Sequence, residues 1–367
     1  MVRVLHVIGA MDRAGAETLL MNLYRSIDRS KVQFDFLVNA DGPSDYDAEI
    51  MNLGGRIFRT PRYNLINKKS YSNSVRTILR EHPEDAIVHS HIGSAAPVHL
   101  KIAREEGRYA IAHSHNNETL SLESMAFRMI AFPVRWNADH YMACSPEAAY
   151  DRFGKKVAEG DRCSILYNGI ETARYQRDAA SCQQSKQALG LADVPVFGHI
   201  GRLTHQKNQG FLLEAFAHIR AVLPDARLIL IGRGEDEQKL RDAVRRLGVE
   251  DAVNFLGIRE DIPDLLRAMD VFVFPSLYEG LGVAIIEAQA TGLQCVASDE
   301  IHDIAAISDR LIRLPLGDPQ AWADECIAAY GRSKKTKDDR VAVVAQAGFD
   351  INETAEQLQA FYLSHAS

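Results

Sequence analysis

Residues Val271 to Gly292 read VFVFPSLYEGLGVAIIEAQATG, and this stretch decides the fold. Val271 to Phe274 is a short, wholly apolar run of β-branched and aromatic side chains, the pattern of a buried strand. Pro275 and Ser276 end it, and a loop follows, Leu277-Tyr278-Glu279-Gly280-Leu281-Gly282. Val283, Ile286, Ala290 and Leu293 then recur at helical spacing, with Gly292 placed to stop the helix.

Strand, glycine-bearing loop and helix, in that order, set unpaired backbone N–H groups at a helix start beyond the carboxyl end of a strand. Phosphates are favoured there, because both the free donors and the helix dipole attract negative charge. Two glutamates frame the loop: Glu279 and, after seven intervening residues, Glu287. A carboxylate does not help to bind phosphate, but it accepts hydrogen bonds from sugar hydroxyls. Donors for phosphate beside acceptors for hydroxyls suit a nucleotide sugar; as two solvated surface residues the glutamates would carry no such meaning.

The spacing of Glu279 and Glu287 within FPSLYEGLGVAIIEAQATG resembles the signature of retaining glycosyltransferase family 4, and is similar to its bacterial exopolysaccharide and capsule members. The resemblance extends over nearly the whole chain. It implies an α/β protein of GT-B fold: two Rossmann-like domains with parallel sheets and an interdomain cleft. The first, residues 1–170, would supply most of the acceptor surface. The second, residues 171–348, would bind the nucleotide sugar, and residues 349–367 would form a helix crossing back to the first domain.

Bulk properties agree with that size and class. A chain of 367 residues is too long for one ordinary core. Apolar content of 46% and charged content of 25% are those of a globular protein in water. The net charge of −7 argues against nucleic acid as a partner. Residues 1–170 carry 21 basic and 20 acidic side chains and the remainder 21 and 29, so the first half is the better suited to an anionic surface. Five cysteines, an odd number without a C-x-x-C, indicate neither a disulfide framework nor a zinc site, and fit a reduced compartment. The opening MVRVLHVIGAM has too short an apolar run for a signal peptide, and no stretch approaches the roughly 20 apolar residues of a membrane span. The expected location is cytoplasmic, with peripheral contact at the inner face of the membrane.

From Arg3 onward, strand and helix patterns alternate, which demands parallel sheets with right-handed crossovers. Arg3 to Ile8, the loop GAMDRAGAE and a helix from Thr18 make a Rossmann-type opening without the full G-x-G-x-x-G fingerprint, so a dinucleotide is poorly supported. In the resemblance, AGAE matches a GGAE-type loop whose backbone lies against the donor diphosphate; Gly15 is the matching position, and Ala14 replaces the first glycine. Two strands end in histidine pairs, His89 with His91 and His113 with His115. Neither pair has an Asp, Glu or Cys beside it to complete a ligand set, so no metal is expected. The resemblance matches His113, with His115 the alternative, to a histidine near the donor sugar and acceptor. Leu120 to Trp136 is either a core-facing helix or an apolar surface, flanked by Arg128 and Arg135, for a lipid-linked acceptor or membrane.

Tyr167-Asn168-Gly169-Ile170 reads as a turn closing the first domain, Glu171 to Cys182 as a linker, and Ser185 to Leu189 as a short helix. The second domain restarts with a strand, Val196 to Ile200, followed by GRLTHQKN. Arg202 and Lys207 before a helix start make an anion site, and the resemblance implies that they bind the donor diphosphate. In FLGIRED, Arg259 has three readings: pairing with phosphate, stacking on the base, or only holding Asp261.

The function implied is retaining transfer of a hexose-type sugar from a nucleoside diphosphate sugar, a UDP-sugar first among them. The acceptor would be a hydroxyl of a saccharide or undecaprenyl-linked lipid, in surface polysaccharide biosynthesis. Arg202, Lys207 and the N–H groups of Gly280, Leu281 and Gly282 would stabilise the leaving diphosphate in place of a divalent metal, so no cofactor is expected. Glu279 would accept from sugar hydroxyls and Glu287 from ribose hydroxyls. The alternative is a catalytically inactive GT-B subunit that binds a nucleotide sugar and supports a partner enzyme. The simultaneous presence of Gly15, His113, Arg202, Lys207, Glu279 and Glu287 favours activity.

Overall fold

The structure, a computed structural model, describes residues 1–12, 15–40, 42–115, 131–279 and 281–366. The chain forms two compact units, Met1–Gly169 with Ile351–Ser367, and Ile170–Asp350. The second is thus an insertion between the body of the first and its last helix.

In the first unit, β1 (Val2–Ile8), β2 (Val32–Val38), β3 (Ile57–Arg59), β4 (Asp85–Ser90), β5 (Tyr109–Ser114), β6 (His140–Ala143) and β7 (Cys163–Ile165) make one sheet in the order β3-β2-β1-β4-β5-β6-β7. All its pairings are parallel. A parallel sheet is covered on both faces, which is why its central strands read as apolar runs rather than as alternation. Val4, Ile8, Phe34 and Ile111 pack with the helices Gly15–Ser26 and Ile351–His365 on one face. Leu5, Val7, Val88 and Ala110 pack with Lys68–Glu81 and Ala96–Glu105 on the other.

The second unit repeats the plan with β8 (Val196–Ile200), β9 (Arg227–Ile231), β10 (Val253–Gly257), β11 (Val271–Phe274), β12 (Gln294–Ser298) and β13 (Leu311–Leu314), in the order β10-β9-β8-β11-β12-β13, again all parallel. Phe197, Phe216, Leu228, Val273 and Trp322 are central to its core. In both sheets the strand order reverses direction once, between β1 and β4 and between β8 and β11. Ligands of open α/β sheets bind beyond the carboxyl ends of the strands at such a switch point.

Three expectations need correction. Residues 171–182 are not only linker: they hold a 3-10 turn, Thr172–Tyr175, and the start of a helix, Ala179–Ala188. The capping box of Asp178 and Ser181 nucleates that helix six residues before Ser185, and this local signal outweighs the weak apolar pattern behind it. The first helix begins at Gly15, not Thr18. Strand β5 continues through His113 to Ser114, so this histidine lies within the strand. The stretch read as a core or membrane-facing helix lies outside the described residues up to 130. Beyond it Phe132 and Trp136 are 46% and 62% exposed and meet edge to face. Among the described residues no helix is long and apolar enough to cross a membrane.

Candidate functional site

At the switch point of the second unit, the loops after β8 and β11 are tied together. Leu277 N donates to Gln206 O at 2.9 Å, and Gln206 Nε2 to Tyr278 O at 2.9 Å. Lys207 Nζ forms an ion pair with Glu279, and also lies 4.8 Å from the centre of the Phe274 ring. Both partners are largely shielded, with side chains 16% and 7% exposed. The stem of Lys207 runs close past Gly201, where an added Cβ would lie 3.2 Å from it. Arg202 is exposed.

The same loop is fixed from below and from the side. His199 is buried, its Nδ1 at 2.9 Å from Val273 O and its Nε2 at 3.2 Å from Gln209 Nε2. Nδ1–H therefore donates to the carbonyl and Nε2 accepts from the amide. Burial holds the ring neutral, with its pKa lowered to about 4. Gln209 also donates to Arg202 O at 2.9 Å. Leu203 N donates to Arg233 O at 3.0 Å and Asp236 N to Leu203 O at 3.1 Å, so the loop after β9 seats against the loop after β8. That closeness requires glycine: a Cβ on Gly232 would lie 2.1 Å from Gly201 O, and one on Gly234 2.1 Å from Leu203 O. The sequence reading passed over His199, Gln209, Gly232 and Gly234. The G-R-G tripeptide after a strand was the one available signal.

The helix Val283–Ala290 opens on Gly282 in the left-handed region, φ 69° and ψ 66°, with no side-chain cap. Leu281 is buried, and Gly280 lies outside the described residues. One turn into this helix, Glu287 Oε1 accepts a 2.5 Å hydrogen bond from Tyr175 Oη. Burial pushes the Glu287 carboxyl up to about 7, and the tyrosine bond opposes that shift. Tyr175, itself buried, comes from the segment read as linker, where nothing but an isolated aromatic hinted at a role.

Arg259 instead grips Asp261 with two hydrogen bonds, Nε to Oδ1 at 2.7 Å and Nη2 to Oδ2 at 2.5 Å. This contact is the one that its third reading names, and both side chains stay more than a third exposed. It follows β10, two strands from β8, roughly 10 Å away across the sheet, and no contact joins it to Arg202, Lys207, Glu279 or Glu287 among the described residues.

In the first unit, Gly15 begins the helix after β1, and open space surrounds the place a Cβ would occupy. His113 and His115 do not stand alone. Register pairs His6 with His89 and His89 with Ile111, so His6, His89, His91, His113 and His115 share one face of the sheet. They form two hydrogen-bonded strings. His6 Nδ1 lies 3.0 Å from His91 Nε2, and His91 Nδ1 2.7 Å from His115 Nε2. His113 Nδ1 lies 3.2 Å from His89 Nε2, and His89 Nδ1 2.6 Å from Tyr362 Oη on the last helix. Burial drives all five pKa values down, His6 to about 3 and His115 to about 4, so the rings are neutral. The expectation of no metal weighed each pair by itself; the parallel register of β1, β4 and β5 sets both pairs and His6 side by side.

Comparison with known proteins agrees with this architecture. Residues 13–174 match the model of Glycosyltransferase Family 4, and residues 194–332 that of Glycosyl transferases group 1. The chain is 35% identical to EpsF of Bacillus subtilis (strain 168), named as a glycosyltransferase, over 98% of this chain and 96% of that one. It is 25% identical, over 85% of this chain and 88% of the other, to the Escherichia coli UDP-Gal:alpha-D-GlcNAc-diphosphoundecaprenol alpha-1,3-galactosyltransferase. The crystal structure of Anabaena Alr3699/HepE in complex with UDP has the same fold, with a TM-score of 0.82, 22% identity, and coverage of 99% of this chain and 100% of that one.

Proposed function

The chain belongs to the family 4 glycosyltransferases of GT-B fold, and from that premise we propose that it transfers a sugar, with retention, from a UDP-sugar to a hydroxyl of a saccharide or lipid-linked acceptor. The product would enter exopolysaccharide or another surface polysaccharide. The observation that carries this reading is the Lys207–Glu279 pair at the switch point between β8 and β11, beside the uncapped helix start at Gly282. A cation, a helix start without a side-chain cap and a carboxylate at the carboxyl ends of two adjacent strands match the three parts of a nucleotide sugar: diphosphate, its leaving charge, and hydroxyls. UDP is the preferred nucleotide because the Escherichia coli relative is named for UDP-Gal and the Anabaena structure holds UDP.

In this reading the C1–O bond to the diphosphate breaks while the acceptor oxygen bonds to C1 on the same face, and the acceptor proton passes to a phosphate oxygen. Whether the two events overlap or a short-lived ion pair intervenes, negative charge grows on the diphosphate. Lys207, Arg202 and the N–H groups at the start of Val283–Ala290 would stabilise that charge, the work a divalent cation does elsewhere. Glu279 would accept from sugar hydroxyls and Glu287 from ribose hydroxyls, with Tyr175 holding Glu287 in place. His113, or His115, would serve the sugar and acceptor. The Asp-x-Asp tripeptide of this chain, Asp45-Tyr46-Asp47, is engaged otherwise: Asp47 accepts from Ser44 N at 3.0 Å and pairs with Arg59.

The test is a thermal-shift screen of nucleotides and nucleotide sugars, followed by an assay of nucleotide release with undecaprenyl-linked acceptors. A ligand at a hundredfold its dissociation constant stabilises by about 2.7 kcal/mol. UDP and one UDP-sugar should shift the transition more than GDP, GDP-mannose or ADP. Shifts by another nucleotide and none by UDP would overturn the donor assignment. Tight binding without turnover on any acceptor would favour the inactive binding subunit.

A further inference from the structure

The histidine cluster of the first unit is more than one catalytic histidine requires. One ring nitrogen each from His91, His113 and His115 lies within 4.8 Å of the others. Among the described residues, His113 Nε2 and His115 Nδ1 are buried and have no hydrogen-bond partner. A second trio, His6, His89 and His91, also converges, but both nitrogens of His89 are taken by Tyr362 and His113. We propose that His91, His113 and His115 form a binding site for a divalent transition-metal ion of the zinc class, at the carboxyl ends of β4 and β5.

The ligand chemistry is selective. Three neutral imidazoles suit zinc, cobalt, nickel or copper, and not magnesium or calcium, which take oxygen ligands. Zinc–nitrogen bonds of about 2.0–2.1 Å place ligand nitrogens about 3.4 Å apart in a tetrahedron. His91 Nδ1 and His115 Nε2, now 2.7 Å apart, share a proton that a metal would displace with a small opening of the pair. Three histidines and an open fourth position describe a site that admits water or a substrate oxygen. Cys144 does not complete it, because its thiol is turned to His115 O at 3.2 Å.

The surroundings supply two of the three imidazoles, His91 and His113, with what a metal-bound imidazole needs behind it, a partner for the second ring nitrogen; His115 Nδ1 has none among the described residues. With Nδ1 on the metal, His91 keeps its Nε2–H for His6 Nδ1 at 3.0 Å. With Nε2 on the metal, His113 keeps its Nδ1–H for His89 Nε2 at 3.2 Å, and His89 in turn donates to Tyr362 Oη at 2.6 Å.

This site rests on the first unit alone and shares His113 and His115 with the proposed sugar and acceptor site, whereas Arg202, Lys207, Glu279 and Glu287 of the proposed donor site belong to the second unit. The experiment is titration of chelator-treated, full-length protein with Co²⁺ near neutral pH, followed by visible absorption, then displacement by Zn²⁺. The expected result is an intense tetrahedral cobalt band that saturates at one equivalent and vanishes with zinc. His91→Gln and His115→Gln should each weaken binding by about 100-fold or more, since even loss of an outer partner costs about 10–100-fold. His218→Gln, exposed on the helix Gln209–Val222, should leave it intact. Circular dichroism checks that each variant is folded. Failure of the wild-type protein to develop the band, or equal binding by the wild type and a folded His91→Gln variant, would overturn the site.

Discussion

Lys207 and Glu279 are joined in a largely shielded ion pair that couples the loop after β8 to the loop after β11. Each residue thereby fixes the other before any ligand arrives, and a diphosphate that takes Lys207 must share it with Glu279. Lys207→Met leaves the Glu279 carboxylate shielded and unpaired, and should cost on the order of 3 kcal/mol of stability as well as nucleotide affinity. Lys207→Met combined with Glu279→Gln should recover most of the stability and none of the affinity. Arg202, exposed, should behave differently: Arg202→Ala should weaken UDP about 10-fold, the share of one charged hydrogen bond, with no change in melting temperature. Calorimetry and thermal melts on the four proteins decide it. Full affinity in both single variants would remove the diphosphate from this loop.

The two glutamates should fail differently in catalysis. Glu287 would contact ribose, which does not change during reaction, so Glu287→Gln should raise the donor KM more than it lowers kcat. Tyr175→Phe frees the same carboxylate and should shift KM in the same direction, by a smaller factor. Glu279 would face the sugar as its ring gains positive charge, so Glu279→Gln should lower kcat with little change in KM. Steady-state kinetics on the three variants is the check, and one shared signature for Glu279→Gln and Glu287→Gln would refute the division of roles.

The fold, and half of the residues proposed for the donor site, were legible in the sequence for a simple reason. A strand, a glycine loop and a helix are local patterns, and Arg202, Lys207, Gly282 and Glu287 all lie on such patterns. What was not legible depends on register between distant segments. Nothing near His199 in sequence says that the Val273 carbonyl will accept its Nδ1–H, and Tyr175 meets Glu287 from 112 residues away. The two histidine pairs were visible, but their convergence with His6 needs the pairing of β1 with β4 and β4 with β5. The contact of Arg259 with Asp261 became visible only once its side chain had a position.

Glu287 also imposes a pH dependence on stability. Its carboxyl rises from an ordinary value of 4.5 to about 7 on folding, so between those values the folded chain holds a proton that the unfolded chain has lost. Stability from this group is therefore complete below about pH 4.5 and is lost as pH rises through 7. The difference in melting temperature between wild type and Glu287→Gln should move against the wild type from pH 5 to pH 8. A difference that stays constant over that range would show that the carboxyl titrates normally.

Two glycines make opposite predictions. An added methyl at Gly234 meets Leu203 O at 2.1 Å, so Gly234→Ala should cost about 1–3 kcal/mol and displace the loop that bears Lys207. Gly331 lies in the helix Pro319–Ser333 with open space where its Cβ would go, so Gly331→Ala should stabilise by about 0.5–1 kcal/mol. Urea titrations of both variants test this. A neutral Gly234→Ala would mean that the two loops are not seated as described.

The insertion of one unit inside the other orders events at the ribosome. Residues 170–350 are made as one continuous piece and can complete their sheet as soon as they emerge. The first unit begins earlier but must wait, because Ile351, Leu358 and Tyr362, which close one face of its core, are translated only after the whole second unit. Domains fold as units during synthesis, the earlier ones usually first, and this connectivity reverses that order for full closure. A nascent chain stalled near residue 350 would carry a finished second unit beside a first unit with an uncovered apolar face, and with His89 still lacking its tyrosine. Chaperone demand during translation, and losses from premature termination, therefore fall on the half of the protein that was made first.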